Sequence, residues 1–436
     1  MIGRPNTACK RWASEASTPS IVRPSVRRQP RKPNEGVALI LTLLFVVLLT
    51  VLVVEFAFEA QVEASYALNS GNEFQAELAA RSAIYNGIAI LETDRLETEL
   101  AVSEGGSSVP SDSRLSAWAV PGTFDPLNDA VMRTTITDEY SKINLNALIY
   151  YDQGGEPVIR GHIQAALIYF FQKRDESVNA EAIVDSLIDW MDEDEEVYND
   201  GAETDFYQSA ENPYPCKNGP MDSIDELLLV KGITPDLYFG RPDVEPVQLP
   251  LSEYLTVHGD WLGRINPNTV YVDYDTSISE VLEAMKEGWT NPIDGVALAT
   301  DVDIEGIITV VLDIETGQPF GAVDDVSSYV DVSPDAIQTN TNTTNTNQRG
   351  NNSTNNQTQN LDVLKNMFTV YSHIFRIQGD ALLDDIMVRN EAYVYRVPQD
   401  DTLFELPNQL VGVNPPQIQV PAPEEFYRIL EWKVIQ

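Results

Sequence analysis

The densest run of side chains able to do chemistry is DWMDEDEEVYNDGAE, Asp189 to Glu203. Counted from Asp192, carboxylates fall at Asp192, Asp194, Glu196, Asp200 and Glu203, at places one, three, five, nine and twelve, and Tyr198 at seven can offer its carbonyl. That is the oxygen spacing of a calcium loop, and Ca²⁺ takes roughly six to eight hard oxygens. Place six is Val197 rather than a turn-making glycine, and no clear helix pair flanks the run, so this is not an EF-hand. On the residues alone, an acidic solvated loop and a calcium site are both open readings. Paired carboxylates can also serve as acid and base in glycoside or peptide hydrolysis. Nothing selects one pair here, and no D-T-G, G-x-S-x-G or Gly-rich phosphate loop accompanies them. His162, His258 and His373 are far apart and read as structural side chains. Cys9 and Cys216 lack zinc spacing, and loss of residues 1–36 would leave Cys216 without an intrachain partner.

The elements around this run read as helices. RGHIQAALIYFFQKRDESVNAEAIVDSLIDWM, residues 160–191, predicts two, the second capped by Asn179. Ser223 and Glu226 form a capping box opening a further helix, which Gly232 ends. ELLLVKGIT resembles half of a helix-hairpin-helix, but Asp225, Glu226 and Asp236 beside it oppose phosphate, so the hairpin is read as packing. Val131 to Thr137 predicts a strand, and MFTVYSHIFRI, DIMVRNEAYVYRV and FYRILEWKVI predict later strands. Residues 338–360, rich in Asn and Thr, carry almost no apolar side chains and predict a disordered insertion.

Charge and hydropathy place the chain. Residues 1–36 hold eight basic and two acidic residues, a net of +6; of the whole-chain −39 this leaves −45 for the rest. So acidic a body excludes nucleic acid as a partner, since phosphates need cations. Val37 to Val54 is apolar apart from Thr42 and Thr50 and spans about 27 Å as a helix, enough for a bilayer core. Basic residues precede it and Glu55, Glu59 and Glu63 follow, which predicts one membrane pass with the N-terminus in the cytoplasm and the body outside. Helical spacing of Phe74, Leu78, Ala79, Ile84, Ile88 and Leu91 carries the helix on to about residue 100.

Gly36 stands before the apolar run, whereas a secretory signal is cut after it. The arrangement resembles a type IV prepilin-type signal, in contrast to an uncleaved signal anchor. Further pieces agree in order: INLNAL (Ile143 to Leu148), DWMDEDEE…DGAE, NPYPCKNGPMDSIDELLLVKGI, INPNT (Ile265 to Thr269) and RILEWKV (Arg428 to Val434). Together they resemble the minor pseudopilin K family of the type II (general) secretion pathway. The resemblance implies an α+β pseudopilin fold, with a long N-terminal helix packed on an antiparallel sheet and a large inserted helical domain. It assigns 1–36 to the leader, 37–100 to the helix, 101–150 to the first part of the sheet domain, 151–300 to the inserted domain, and 301–436 to the remaining sheet. It further implies a non-enzymatic assembly role, calcium in the inserted domain, and minor pseudopilins I and J, a prepilin peptidase and inner-membrane lipid as partners. The alternatives are a minor pilin of a type IV pilus and a permanently anchored calcium-binding domain.

Most such subunits carry glutamate at the fifth place after the cut; here it is Leu41. The cut leaves a charged amine at the membrane, and a carboxylate from the next subunit neutralises it. Without that carboxylate, a subunit fits best where nothing stands ahead, at a filament tip. The first expected outcome is a mature chain beginning at Val37, its amine methylated, by N-terminal sequencing and mass spectrometry. A bulky residue at Gly36 is expected to block the cut, and a mature chain still starting at Met1 would refute the signal.

Overall fold

The computed structural model describes residues 35–103, 111–127, 130–152, 154–242, 244, 247–273, 278–313, 319–341, 352–397 and 427–435. Residues 1–34 of the leader, Cys9 included, and residues 342–351 of the Asn/Thr-rich segment lie outside the described residues. Helix α1 runs Glu35–Ser103. The chain divides into two compact units, Met1–Leu68 and Asn69–Gln436. In the first, α1 is long and apolar enough to cross a membrane. The two hydroxyls of the apolar run are satisfied within the helix: Thr42 Oγ1 donates to the Leu39 carbonyl at 2.9 Å, and Thr50 Oγ1 donates to that of Val46.

In the second unit, strands β1 (Gly122–Leu127) and β2 (Ala130–Asp138) begin a sheet. A helical body then interrupts it. The body carries short strands β3 (Ile143–Asn144), β4 (Ile149–Tyr151) and β5 (Pro157–Ile159), then helices α2 (Gly161–Arg174), α3 (Ala180–Met191), α4 (Thr204–Gln208) and α5 (Pro235–Phe239). It continues through β6 (Leu255–Thr256), α6 (Glu280–Thr290), β7 (Ala299–Val302), α7 (Ile304–Leu312), β8 (Val330–Val332), α8 (Pro334–Thr341) and α9 (Asn352–Met367). The sheet resumes with β9 (Ile374–Leu383), β10 (Ile386–Arg396) and β11 (Tyr427–Ile435). Its order is β1-β2-β9-β10-β11, antiparallel throughout. The expected α+β architecture of a long helix on an antiparallel sheet is therefore present.

Small residues set how closely α1 lies on the sheet. Ala76, Ala79, Ala80, Ala83, Ile84 and Leu91 are buried. A side-chain carbon at Gly87 would lie 2.5 Å from Ile377 Cγ2, and one at Gly379 would collide with the Ala80 carbonyl oxygen. Thr134 Oγ1 of β2 donates to the Ala83 carbonyl at 2.8 Å. Backbone meets backbone here, which only glycine permits.

The helical body has one apolar core, drawn from Ile143 through Val370 and including α6, α7 and α9. The boundary expected at residue 300 therefore falls inside it. The apolar faces of α7 and α9, Ile307 and Ile308 with Val363, Leu364 and Met367, complete the same core rather than the sheet. The flanks of the Asn/Thr-rich segment also differ from the expected disorder, since residues 338–341 end α8 and 352–360 begin α9. Asn179 caps α3 by accepting from Ala182 N, and Ser223 with Glu226 forms the capping box, though over a 3₁₀ turn, Ile224–Leu229.

Two buried polar joints tie body to sheet. At the first, Asp138 ends β2 and its carboxylate accepts from Asn266 Nδ2 at 3.2 Å, Thr269 Oγ1 at 2.6 Å and Ser372 Oγ at 2.6 Å. Asn266 Nδ2 also meets the Asp112 carbonyl and Ser372 Oγ. Arg396, at the end of β10, pairs with Asp112 at 2.5 Å, and Ser372 N donates to the same carboxylate at 2.8 Å. At the second, Lys142 and Glu139 form a buried pair at 2.5 Å, Thr256 Oγ1 donates to Glu139, and Arg376 of β9 reaches Glu253 at 3.0 Å. Removing one member of such a joint leaves a buried polar group unsatisfied, at a cost of about 1–3 kcal/mol. Asn266→Ala is thus expected to destabilise the second unit by about 2–3 kcal/mol, read from the urea midpoint, and Gly379→Val to destabilise it too, by forcing α1 off the sheet.

Candidate metal centre

The last turn of α3 and the loop to α4 gather the carboxylates. Asp192 is the C-cap of α3, and Glu203 is the residue before α4. Ligand oxygens of Asp192, Asp194 and Glu203 lie within 4.8 Å of one another. Asp192 Oδ1 and both oxygens of Glu203 are buried without a hydrogen-bond partner. Such orphaned oxygens are rare in folded proteins unless something else meets them. Asp189, one turn back and fully buried, adds another: Oδ1 accepts from Tyr198 N at 2.8 Å, while Oδ2 has no partner.

Sequence spacing began its count at Asp192 and so missed Asp189. The signal that could have found it is helical: Asp189 and Asp192 are three apart and share a face of α3. Glu196 and Asp200 stand outside the cluster. Both are exposed. The chain turns sharply between Tyr198 and Gly201, where Gly201 N donates to the Tyr198 carbonyl at 2.9 Å and Asn199 takes φ 46°. That turn occupies the carbonyl expected as a ligand at place seven, and Asp200 N donates to Asp185 Oδ2 at 3.2 Å. Asp194 Oδ1 accepts from Glu196 N at 2.7 Å, which folds the front of the loop.

The electrostatics are those of a site short of cations. Burial, then the charges of Asp194 and Asp189, push Asp192 up to about 7. Burial, then Asp189 and Asp192, push Glu203 up to about 7, and burial leads in raising Asp189 to about 6. The negative end of the α3 dipole adds to the same deficit. Three carboxylates and orphaned oxygens from two elements fit a hard divalent cation, for which Asp192, Asp194 and Glu203, with Asp189 behind them, would be the donors. Beneath them lies Cys216, whose Sγ donates to the Asp189 carbonyl at 3.4 Å and whose thiol burial pushes up to about 12.

Residues 141–239, which include this centre, match the family profile described as type II secretion system (T2SS), protein K. Among curated proteins, type II secretion system protein K of Klebsiella pneumoniae is 25% identical over 241 residues, 55% of this chain and 68% of that protein. The protein of the same name from Pectobacterium carotovorum subsp. carotovorum is 30% identical over 123 residues, 28% of this chain and 38% of that one. A solved structure, the GspK-GspI-GspJ complex from the enterotoxigenic Escherichia coli type 2 secretion system, aligns over 83% of this chain and 99% of its own. The identity there is 18% and the TM-score 0.48. A helix on an antiparallel sheet, with a helical body inserted between its strands, is thus the frame of the second unit, and the similarity to type II secretion system protein K runs through that inserted body.

A pH experiment tests the cluster. Carboxyls raised in the folded state bind more protons folded than unfolded, so their repulsion costs stability above about 7 and costs progressively less as pH falls toward the ordinary carboxylate range. Asp192→Asn with Glu203→Gln is therefore expected to raise the melting temperature in chelator at pH 7.5. The gain should shrink steadily as pH falls. A gain that does not change with pH would mean that the carboxyls are not coupled.

Proposed function

We propose that this chain is a minor pseudopilin of the type II secretion system, of the protein K kind, which caps the tip of a periplasmic pseudopilus in complex with minor pseudopilins I and J and acts there without enzymatic activity. It is held first in the inner membrane, N-terminus in the cytoplasm, trimmed by a prepilin peptidase after Gly36, and then drawn from the lipid into the filament. The observation that carries this reading is Leu41. Inside a filament, leucine at that place would leave the amine of the subunit ahead unpaired in an apolar bundle, at a cost of several kcal/mol. At the tip no subunit stands ahead, and the Val37 amine can still meet a carboxylate from the subunit below. The large inserted body supports the same position, because a neighbour stacked above would have to fit around it.

Calcium has a structural part in this proposal. Held by Asp192, Asp194 and Glu203, it would neutralise the repelling carboxylates and join the end of α3 to the start of α4. The tip assignment is tested by site-directed crosslinking in assembled filaments. Crosslinks are expected only to subunits below and only at filament ends; regular crosslinks along the shaft, or to a subunit above, would refute it.

A further inference from the structure

We propose that Lys231 is the positioning residue of the acidic loop: its ammonium grips the carbonyls of Asp200 and Gly201 and thereby sets where Glu203 stands. The inference rests on the calcium reading above and concerns how the site is held. Lys231 Nζ donates to the Asp200 carbonyl at 2.8 Å and to the Gly201 carbonyl at 2.8 Å. The same two residues are held on their N–H side, by Asp185 Oδ2 and by the Tyr198 carbonyl. The turn is thus fastened from both sides. It is also pressed inward, since a side-chain carbon at Gly201 would collide with Asp189 Oδ2.

Glu203 follows two residues later, after buried Ala202. Neither of its carboxylate oxygens has a hydrogen bond to hold it. Its place beside Asp192 and Asp194 is therefore set by the backbone that precedes it, and Lys231 fixes that backbone. The lysine is itself well anchored. Its own N donates to Tyr207 Oη at 3.3 Å, its ammonium lies 5.2 Å from the centre of the Phe206 ring, and Gly232 beside it turns at φ 92°. An ammonium bonded to carbonyl oxygens orders the loop while leaving the carboxylates to a metal ion. It also takes up the Asp200 and Gly201 carbonyls as ligands of its own.

The test uses the full chain in detergent with calcium chloride as the probe, read by titration calorimetry and by melting with and without chelator. Partners that orient ligands typically carry about 10–100-fold in metal affinity. Lys231→Met is expected to weaken calcium binding at least about ten-fold and to shrink the calcium-dependent rise in melting temperature. Lys231→Arg, which can still donate to two carbonyls, should restore both. Unchanged calcium affinity in Lys231→Met, beside clear binding by the unmutated chain, would overturn the role of Lys231 alone. An equal loss of melting temperature with and without calcium would also overturn it, since that is the signature of general packing. Failure of Lys231→Arg to restore binding would remove the two-carbonyl argument. Absence of calcium binding in the unmutated chain would remove the calcium reading and this inference together.

Discussion

The fold depends on the buried joint among Asp112, Asp138, Asn266, Ser372 and Arg396. A body of more than two hundred residues leaves the sheet after β2 and returns at β9. Those strands are neighbours, with Asp138 opposite Phe375, so departure and return occur at one spot. Apolar contacts alone would let the body pivot there. The joint removes that freedom, because each partner satisfies a group that has no access to water. Asn266 comes from the body, Asp138 and Ser372 from the two crossing points, Arg396 from the far end of β10, and Asp112 from the segment ahead of the sheet. A buried charge network adds little net stability against an apolar equivalent, but losing one member is expensive. Its value is in specifying one arrangement.

The same logic explains why certain short motifs carried the family resemblance. In INLNAL, Asn144 donates to the Asp260 carbonyl at 2.9 Å, and Asn146 exchanges hydrogen bonds in both directions with the Met221 backbone while reaching the Val257 carbonyl. In INPNT, Asn266 serves the joint, and Asn268 pairs in both directions with the backbone of Phe320. An asparagine side chain offers a peptide-like donor and acceptor, so it can stand in for a missing strand wherever loops meet. These motifs are the places where irregular backbone is made to fit.

Local features were the most legible in the sequence. The apolar period of α1, the Asn179 cap, the Ser223–Glu226 box and the alternation of β2 each follow from neighbours along the chain. What depended on distant partners was not legible. The apolar faces of α7 and α9 do not reveal whether they cover a sheet or a helical core, and the boundary at residue 300 was misplaced for that reason. In the acidic loop, counting assumed an even path from Asp192 to Glu203. The tight turn at Asn199 breaks that path, excludes Glu196 and Asp200 from the cluster, and brings Asp189 forward from the helix. Glycine at position 201 was visible, but that its missing side chain makes room for Asp189 was not.

Cys216 gives the acidic loop a built-in reporter. Its thiol sits under Asp189, and its backbone N–H is held by Thr204 Oγ1 at the start of α4. A buried thiol with a raised pKa is inert toward alkylating reagents while the loop is closed. Modification therefore proceeds only through molecules in which the loop has lifted, and its rate measures how often that happens. The opening of the acidic loop can be followed in the native sequence, with no probe attached.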